Sequence, residues 1–232
     1  MKKFGKKYVE ASKMIDKDKL YTTEEAVELV KKTATTKFDS TVEIAINLNI
    51  DTKKADQQMR GSIVLPFGTG KTKRVCVLAK GAQADEAKKA GADFVGEAEL
   101  IDKMAKENWF DFDVIVATPD MMPALGKIGK VLGPKGLMPN PKTGTVTTNP
   151  AQTVEDIKKG MIEYRADSYG IVHTSVGKVS FKNEELIENI AYLVNTIIKA
   201  KPLTVKGNYI NSIAISSTMG PGIKLDKNSF DK

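Results

Sequence analysis

The sequence predicts a mixed α/β (α+β) chain. A discontinuous outer α+β domain, residues 1–67 and 157–232, comes from both chain ends, and an α/β domain at 68–156 is inserted into it. Three observations predict this. Val42, Ile44, Ile46, Leu48 and Ile50 alternate with polar positions, as in a strand with one dry face, and INSIAISS (210–217) repeats that alternation near the other end. Between them, short wholly apolar runs are separated by amphipathic stretches, the pattern of a parallel sheet covered on both faces. A chain of 232 residues is also long enough for two modest cores.

Each element has its own local reason. TTEEAVELVKK, ending at Lys32, combines a capping threonine, early glutamates and late lysines, and predicts a helix from Thr23 to Lys32. The alternating strand follows, then SIVLPF (62–67), a short strand closed by proline. In the middle, RVCVLA (74–79) and DVIVATP (113–119) read as buried strands. The helix-like AQADEAKKAG (82–91), the apolar ADFVG (92–96) and the helix-like EAELIDKMAKEN (97–108) lie between them. TVEDIKKGMIEY (153–164) reads as a helix and GIVHTSVGKVSF (170–181) as two strands around a glycine. A long amphipathic helix, NEELIENIAYLVNTIIKAK (183–201), starts with Asn183 as its cap and stops before Pro202. The chain passes between domains near 67–72 and 150–157, with Gly68 and Gly70 expected as the hinge.

Charge points to a polyanion. The 36 Lys+Arg against 29 Asp+Glu give a net charge of +7, which bears on partners and not on fold. The excess is uneven: no acid stands between Met121 and Val154, or between Asn189 and Leu225, and the first twenty residues carry seven lysines. A single cysteine, Cys76, in an apolar run, predicts a reducing compartment and a buried thiol. The basic N-terminus lacks the apolar stretch of a secretory signal, and no apolar run is long enough to span a bilayer, so a cytoplasmic protein without membrane contact is expected.

Enzyme chemistry finds little support. FGTGKTK (67–73) resembles the tail of a phosphate loop, but Leu65 stands where its first glycine is needed and a strand-like run follows in place of a helix. The inserted domain has a Rossmann-like rhythm without the G-x-G-x-x-G that a dinucleotide requires. His173 is the only histidine and reads as an ordinary strand residue, and no spaced carboxylate or cysteine cluster accompanies it; no metal and no cofactor are expected.

What remains suits RNA. GPKGLMPNPKTGT (133–145) holds three prolines, three glycines and uncompensated Lys135 and Lys142; it is either a solvated connector or an auxiliary contact to something anionic. Phe38, beside Lys37, is either a core residue or a surface for a nucleotide. STMGPG (217–222) is either a plain strand-ending turn or a close-approach site in which Thr218 donates a hydrogen bond and Met219 gives apolar contact. Arg165, Asp167, Lys178 and Ser180 are solvated charges or further polar contacts at an opposite junction.

Taken together, KFDSTVE, RGSIVLPFGTGK, KGAQADEAKKAGADFVG, FDVIVATPDMM, LGPKGLMPNPKTGTV, VGKVSF and STMGPG resemble the bacterial large-subunit ribosomal protein L-one family over Gly5 to Ile223. The resemblance implies the interrupted fold above, with a Rossmann-like insertion and no enzymatic activity. It implies a monomer when free that binds large-subunit ribosomal RNA at the mobile stalk, acts in release of deacylated tRNA from the exit site, and represses its own operon by binding the messenger RNA. The RNA surface it implies is Lys37, Phe38, Asp39, Thr41 and Glu43 with Arg165, Asp167, Lys178, Ser180, Ser217, Thr218, Met219 and Gly220, and Lys135 and Lys142 as auxiliary contacts. Tyr169 and the tail after Lys224 lie outside what the resemblance secures.

Overall fold

A computed structural model describes residues 5–230; Lys2 and Lys3 of the basic N-terminus lie outside them. In chain order the elements are α1 (Lys6–Lys13), α2 (Thr23–Lys32), β1 (Thr41–Leu48), β2 (Arg60–Val64), β3 (Val75–Leu78), α3 (Ala82–Lys89), β4 (Phe94–Gly96), α4 (Ala98–Glu107), β5 (Val114–Ala117), α5 (Met122–Lys127), α6 (Gly129–Leu132), α7 (Pro150–Lys159), β6 (Met161–Arg165), β7 (Ile171–Lys178), α8 (Asn183–Lys199), β8 (Ile210–Ser217) and β9 (Ile223–Leu225). Two compact units result, one from both chain ends up to Gly70 and from Ile162 onward, the other from Lys71 to Met161.

In the unit formed by the chain ends, an antiparallel sheet runs β7-β1-β8-β9. Strand alternation buries Val42, Ile44, Ile46 and Leu48 of β1 and Ile213 and Ile215 of β8 against α2 and α8. Helix α8 contributes Leu186, Ile190, Leu193, Val194 and Ile197, the i, i+4, i+7 stripe of an amphipathic helix. Helix α2 starts where the Thr22 side chain accepts from the Glu25 amide at 3.3 Å. A separate two-stranded ribbon pairs β2 with β6.

The second unit carries a parallel sheet in the order β4-β3-β5. Cys76 and Leu78 of β3 pack among side chains from α4, α5 and α6, whereas Val75 and Val77 face Ala87 of α3 and Val154 and Ile157 of α7. Both faces are therefore covered, which is why these strands are apolar throughout. Burial pushes the Cys76 thiol up to about 12, so it stays protonated and inert.

Several local expectations need correction. The helix at 153–164 ends at Lys159; Gly160, at φ 108°, turns the chain left-handed, and MIEYR is strand β6 with Ile162 and Tyr164 buried. GIVHTSVGKVSF forms one strand, because Gly177 pairs with Val42 inside β7 and the chain turns only after Lys178. Asn183 is the first helical residue of α8, not its cap: the Lys182 amide donates to Glu185 Oε2 at 3.0 Å. Strand β2 begins at Arg60 and ends at Val64, ahead of Leu65 and Pro66. The boundary expected at 156/157 falls within α7, whose Val154 and Ile157 belong to the second core, and the division lies at 161/162.

Candidate nucleic-acid interface

Antiparallel pairing sets three distant segments side by side. Thr41 opens β1 opposite Lys178, the last residue of β7, and Val42 lies opposite Ser217, the last residue of β8. Hydrogen bonds lock the three ends. The Thr218 amide donates to the Thr41 carbonyl at 3.0 Å, and the Thr41 amide donates to Thr218 Oγ1 at 3.2 Å. The Thr218 hydroxyl returns its own proton to the Thr41 carbonyl at 3.3 Å. Asp39 joins β7 to this edge, its carboxylate accepting from the Ser180 amide at 3.1 Å and from Ser180 Oγ at 2.8 Å, while Lys178 Nζ donates to its carbonyl at 3.1 Å.

These bonds sort the residues by what they offer a partner. Ser217 is buried and its Oγ has no hydrogen-bond partner, so it shapes the edge from within. Thr41 is buried too and contributes backbone. The Thr218 hydroxyl proton is engaged inside the protein, which leaves it one lone pair for an external donor. What projects is apolar: Phe38 is 60% and Met219 77% exposed. Phe38 is therefore not a core residue. Met219 stands at φ +66°, an unusual left-handed backbone for a side chain that is not glycine, held by the Gly220 amide donating to the Ser217 carbonyl at 2.8 Å. Lys37 is exposed beside Phe38.

From that edge a polar sheet face runs along the strands. Register aligns Ser175, Glu43 and Ser216 in one row across β7, β1 and β8, then His173, Ala45, Ala214 and Lys224 of β9 in the next, then Ile171, Asn47 and Ser212. Serine and alanine keep this face shallow, and β8 and β9 supply no carboxylate to it. Reading the chain linearly missed Ser175, Ser212, Ser216 and Lys224 and passed over His173. The alternation of INSIAISS already put Ser212 and Ser216 on that strand's polar side, but only the register makes the rows.

The expected opposite junction divides. Lys178 and Ser180 belong to the strand-end cluster, whereas Asp167 lies at the other end of β7. There its Oδ1 accepts the amides of Tyr169 and Ile171, each at 2.8 Å, and Oδ2 lies 3.7 Å from His173 Nε2. The Ile171 amide, then the Tyr169 amide and His173, hold the Asp167 carboxyl below the usual carboxylate range. Arg165 is exposed at the end of β6, next to the Ala166–Val172 bridge.

The remaining candidates lie elsewhere. Gly68 and Gly70 are both left-handed, at φ 65° and 68°. Asn189, fully buried in α8, donates to the Gly68 carbonyl at 3.1 Å and the Val176 carbonyl at 2.8 Å and accepts the Phe67 amide at 3.2 Å. A Cβ on Gly70 would fall 2.8 Å from Lys178 Cγ. In the second unit, Lys135 Nζ sits 4.4 Å from the centre of the Phe110 ring. Lys142 is exposed on a loop pinned by Asn140, whose Oδ1 accepts the Lys142 amide at 2.8 Å and whose amide donates to Thr145 Oγ1 at 2.8 Å. Pro139 and Thr143 of that loop are buried, so it is a shaped loop and not a free connector. Among the described residues no cluster of His, Cys, Asp and Glu is arranged to hold a metal ion, and no helix is long and apolar enough to cross a membrane. Residues 30–221 match the model of the Ribosomal protein L1p/L10e family.

Proposed function

The chain belongs to the ribosomal protein L1p/L10e family, whose members are non-enzymatic structural constituents of the ribosome that bind ribosomal RNA, and from that premise we propose that the β1, β7 and β8 strand ends with the adjoining polar sheet face are its RNA-binding surface. One observation carries the proposal: Phe38 and Met219 project into solvent from an edge whose backbone is fixed by the hydrogen bonds of Thr41 with Thr218 and of Asp39 with Ser180. Such an edge loses little entropy on binding and presents apolar surface where a base can pack. Lys37, Lys178 and Lys224 supply phosphate-directed charge, the salt-sensitive part of affinity. Glu43 and Ser216, in one row, offer hydrogen-bonding groups to a shaped RNA.

On this reading the partner is large-subunit ribosomal RNA at the mobile stalk. The protein takes part in release of deacylated tRNA from the exit site and represses its operon by binding a messenger site of similar shape. It works in the cytoplasm, on the large subunit, and is a monomer when free. Lys135 and Lys142 serve as auxiliary contacts; Lys142 is the better placed, since Lys135 already lies on an aromatic ring. Gly68 and Gly70 form the hinge, its first residue gripped by Asn189.

Binding of a stalk ribosomal RNA fragment tests the surface. Phe38→Ala should weaken it by about 1–3 kcal/mol, the scale of one base–aromatic stack, and Met219→Ala by up to about 1.5–3 kcal/mol, the scale of burying its apolar side chain. Unchanged affinity in both variants sinks the reading.

A further inference from the structure

We propose that Tyr169 is a stacking platform for an unpaired nucleobase at the end of the sheet face remote from Phe38 and Met219; this rests on reading that face as the RNA surface. Tyr169 is 83% exposed, and its side chain has no partner among the described residues. An aromatic ring so completely in water is usually mounted on a mobile tip. Here the mount is rigid.

The turn Asp167–Gly170 is tied at every residue. The Asp167 carboxylate accepts the Tyr169 and Ile171 amides, and the Asp167 amide donates to the Ile171 carbonyl at 2.9 Å. The Thr52 hydroxyl donates to the Ser168 carbonyl at 2.9 Å, and the Leu48 amide donates to the Gly170 carbonyl at 2.9 Å. Gly170 takes φ +77°, and a Cβ there would meet the Leu48 carbonyl oxygen at 3.0 Å. A fixed backbone under a two-torsion aromatic side chain leaves little freedom to lose when a ring stacks on it, which is what a platform requires.

The surroundings favour a nucleic acid over a protein. Asp167 is committed to backbone amides and to His173, which stands on the polar face in the row of Lys224. Arg165 is exposed just ahead of the turn, and Lys53 is exposed next to Thr52. Asp51, beside Thr52, accepts the Lys53 amide at 3.1 Å and lies 3.9 Å from Lys54 Nζ. An exposed aromatic ring with cations on the neighbouring segments and the nearby carboxylates occupied is the combination that single-stranded nucleic-acid sites use. Seven steps along β7 from Ile171 to Lys178, at about 3.3 Å each, put roughly 23 Å between this turn and the strand-end cluster. An RNA held at both places is measured along its length, which a single cluster does not do.

The test uses the full chain and a stalk ribosomal RNA fragment, with affinity measured across a salt series. Tyr169→Ala should weaken binding roughly 5- to 150-fold, the range for losing one base–aromatic stack, without changing the salt slope, because a ring carries no charge. Tyr169→Phe should bind like the parent, and thermal melts should coincide for all variants. Parent-like affinity in Tyr169→Ala overturns the platform, and so does a Tyr169→Phe variant as weak as Tyr169→Ala, which would assign the role to the hydroxyl. Met219→Ala with Phe38→Ala, measured in parallel, separates the two ideas. If they weaken binding and Tyr169→Ala does not, only the platform falls; if none of the three does, the sheet-face reading falls as well.

Discussion

Gly220→Ala should damage the strand-end cluster, and Ser217→Ala should repair it. A Cβ on Gly220 would lie 2.3 Å from Ser217 Oγ, 3.2 Å from the Ser217 carbonyl oxygen and 3.5 Å from Ser217 Cβ. The first distance is an overlap of more than an ångström, the second asks for a shift of a few tenths, and the third is ordinary contact. Ser217 is only 3% exposed, so its hydroxyl has little room to rotate away. Overpacking of this kind costs about 1–3 kcal/mol. Alanine in place of glycine restricts the unfolded chain and returns roughly 0.4–1 kcal/mol, leaving a net loss of about 1–2 kcal/mol. Ser217 Oγ has no hydrogen-bond partner, so removing it leaves nothing unpaired and should be nearly neutral for the fold. The double variant should therefore regain most of the loss, a coupling of about 1–2 kcal/mol. Urea unfolding of the parent, both single variants and the double variant measures it, and stalk-RNA affinity should follow because Met219 stands in the same turn. A double variant no more stable than Gly220→Ala would refute the reasoning.

Two further outcomes follow from buried and charged groups. Asn189→Leu keeps the branched heavy-atom shape, with somewhat more bulk, but strands the Phe67 amide and the Gly68 and Val176 carbonyls, so urea unfolding should show a loss of about 2–4 kcal/mol; a loss below about 1 kcal/mol would mean that water replaces the amide there. Asp167 titrates below its unfolded value, first because of the Ile171 amide, so its stabilising effect is present above the unfolded pKa and is lost as pH falls through the folded one. The stability difference between the parent and Asp167→Asn should accordingly shrink on acidification below about pH 4, and a difference independent of pH would rule this out.

Local chemistry made much of the architecture legible. Alternation in β1 and β8 and the unbroken apolar runs of β3 and β5 report directly which faces are dry, because burial selects residue type at each position. The reading failed where two periods fit one short segment: MIEYR continues the apolar spacing of α7, and only Gly160 and pairing with β2 make it a strand. It also missed α5, α6 and β9, which are too short to carry a period of their own.

The amino-acid order alone determined the excess of positive charge, the lack of acids across β8 and β9, the inert setting of Cys76, and an alternation that leaves one face of β1 and of β8 polar. Tertiary structure alone decided that Thr41 meets Thr218 across 177 positions and Asp39 meets Ser180 across 141, that Ser217 is hidden while Met219 is displayed, and that Asp167 belongs to the far end of the face. The physical reason is that side-chain parity is a property of neighbours in the chain, whereas strand register is set by hydrogen bonds between segments that no local pattern encodes.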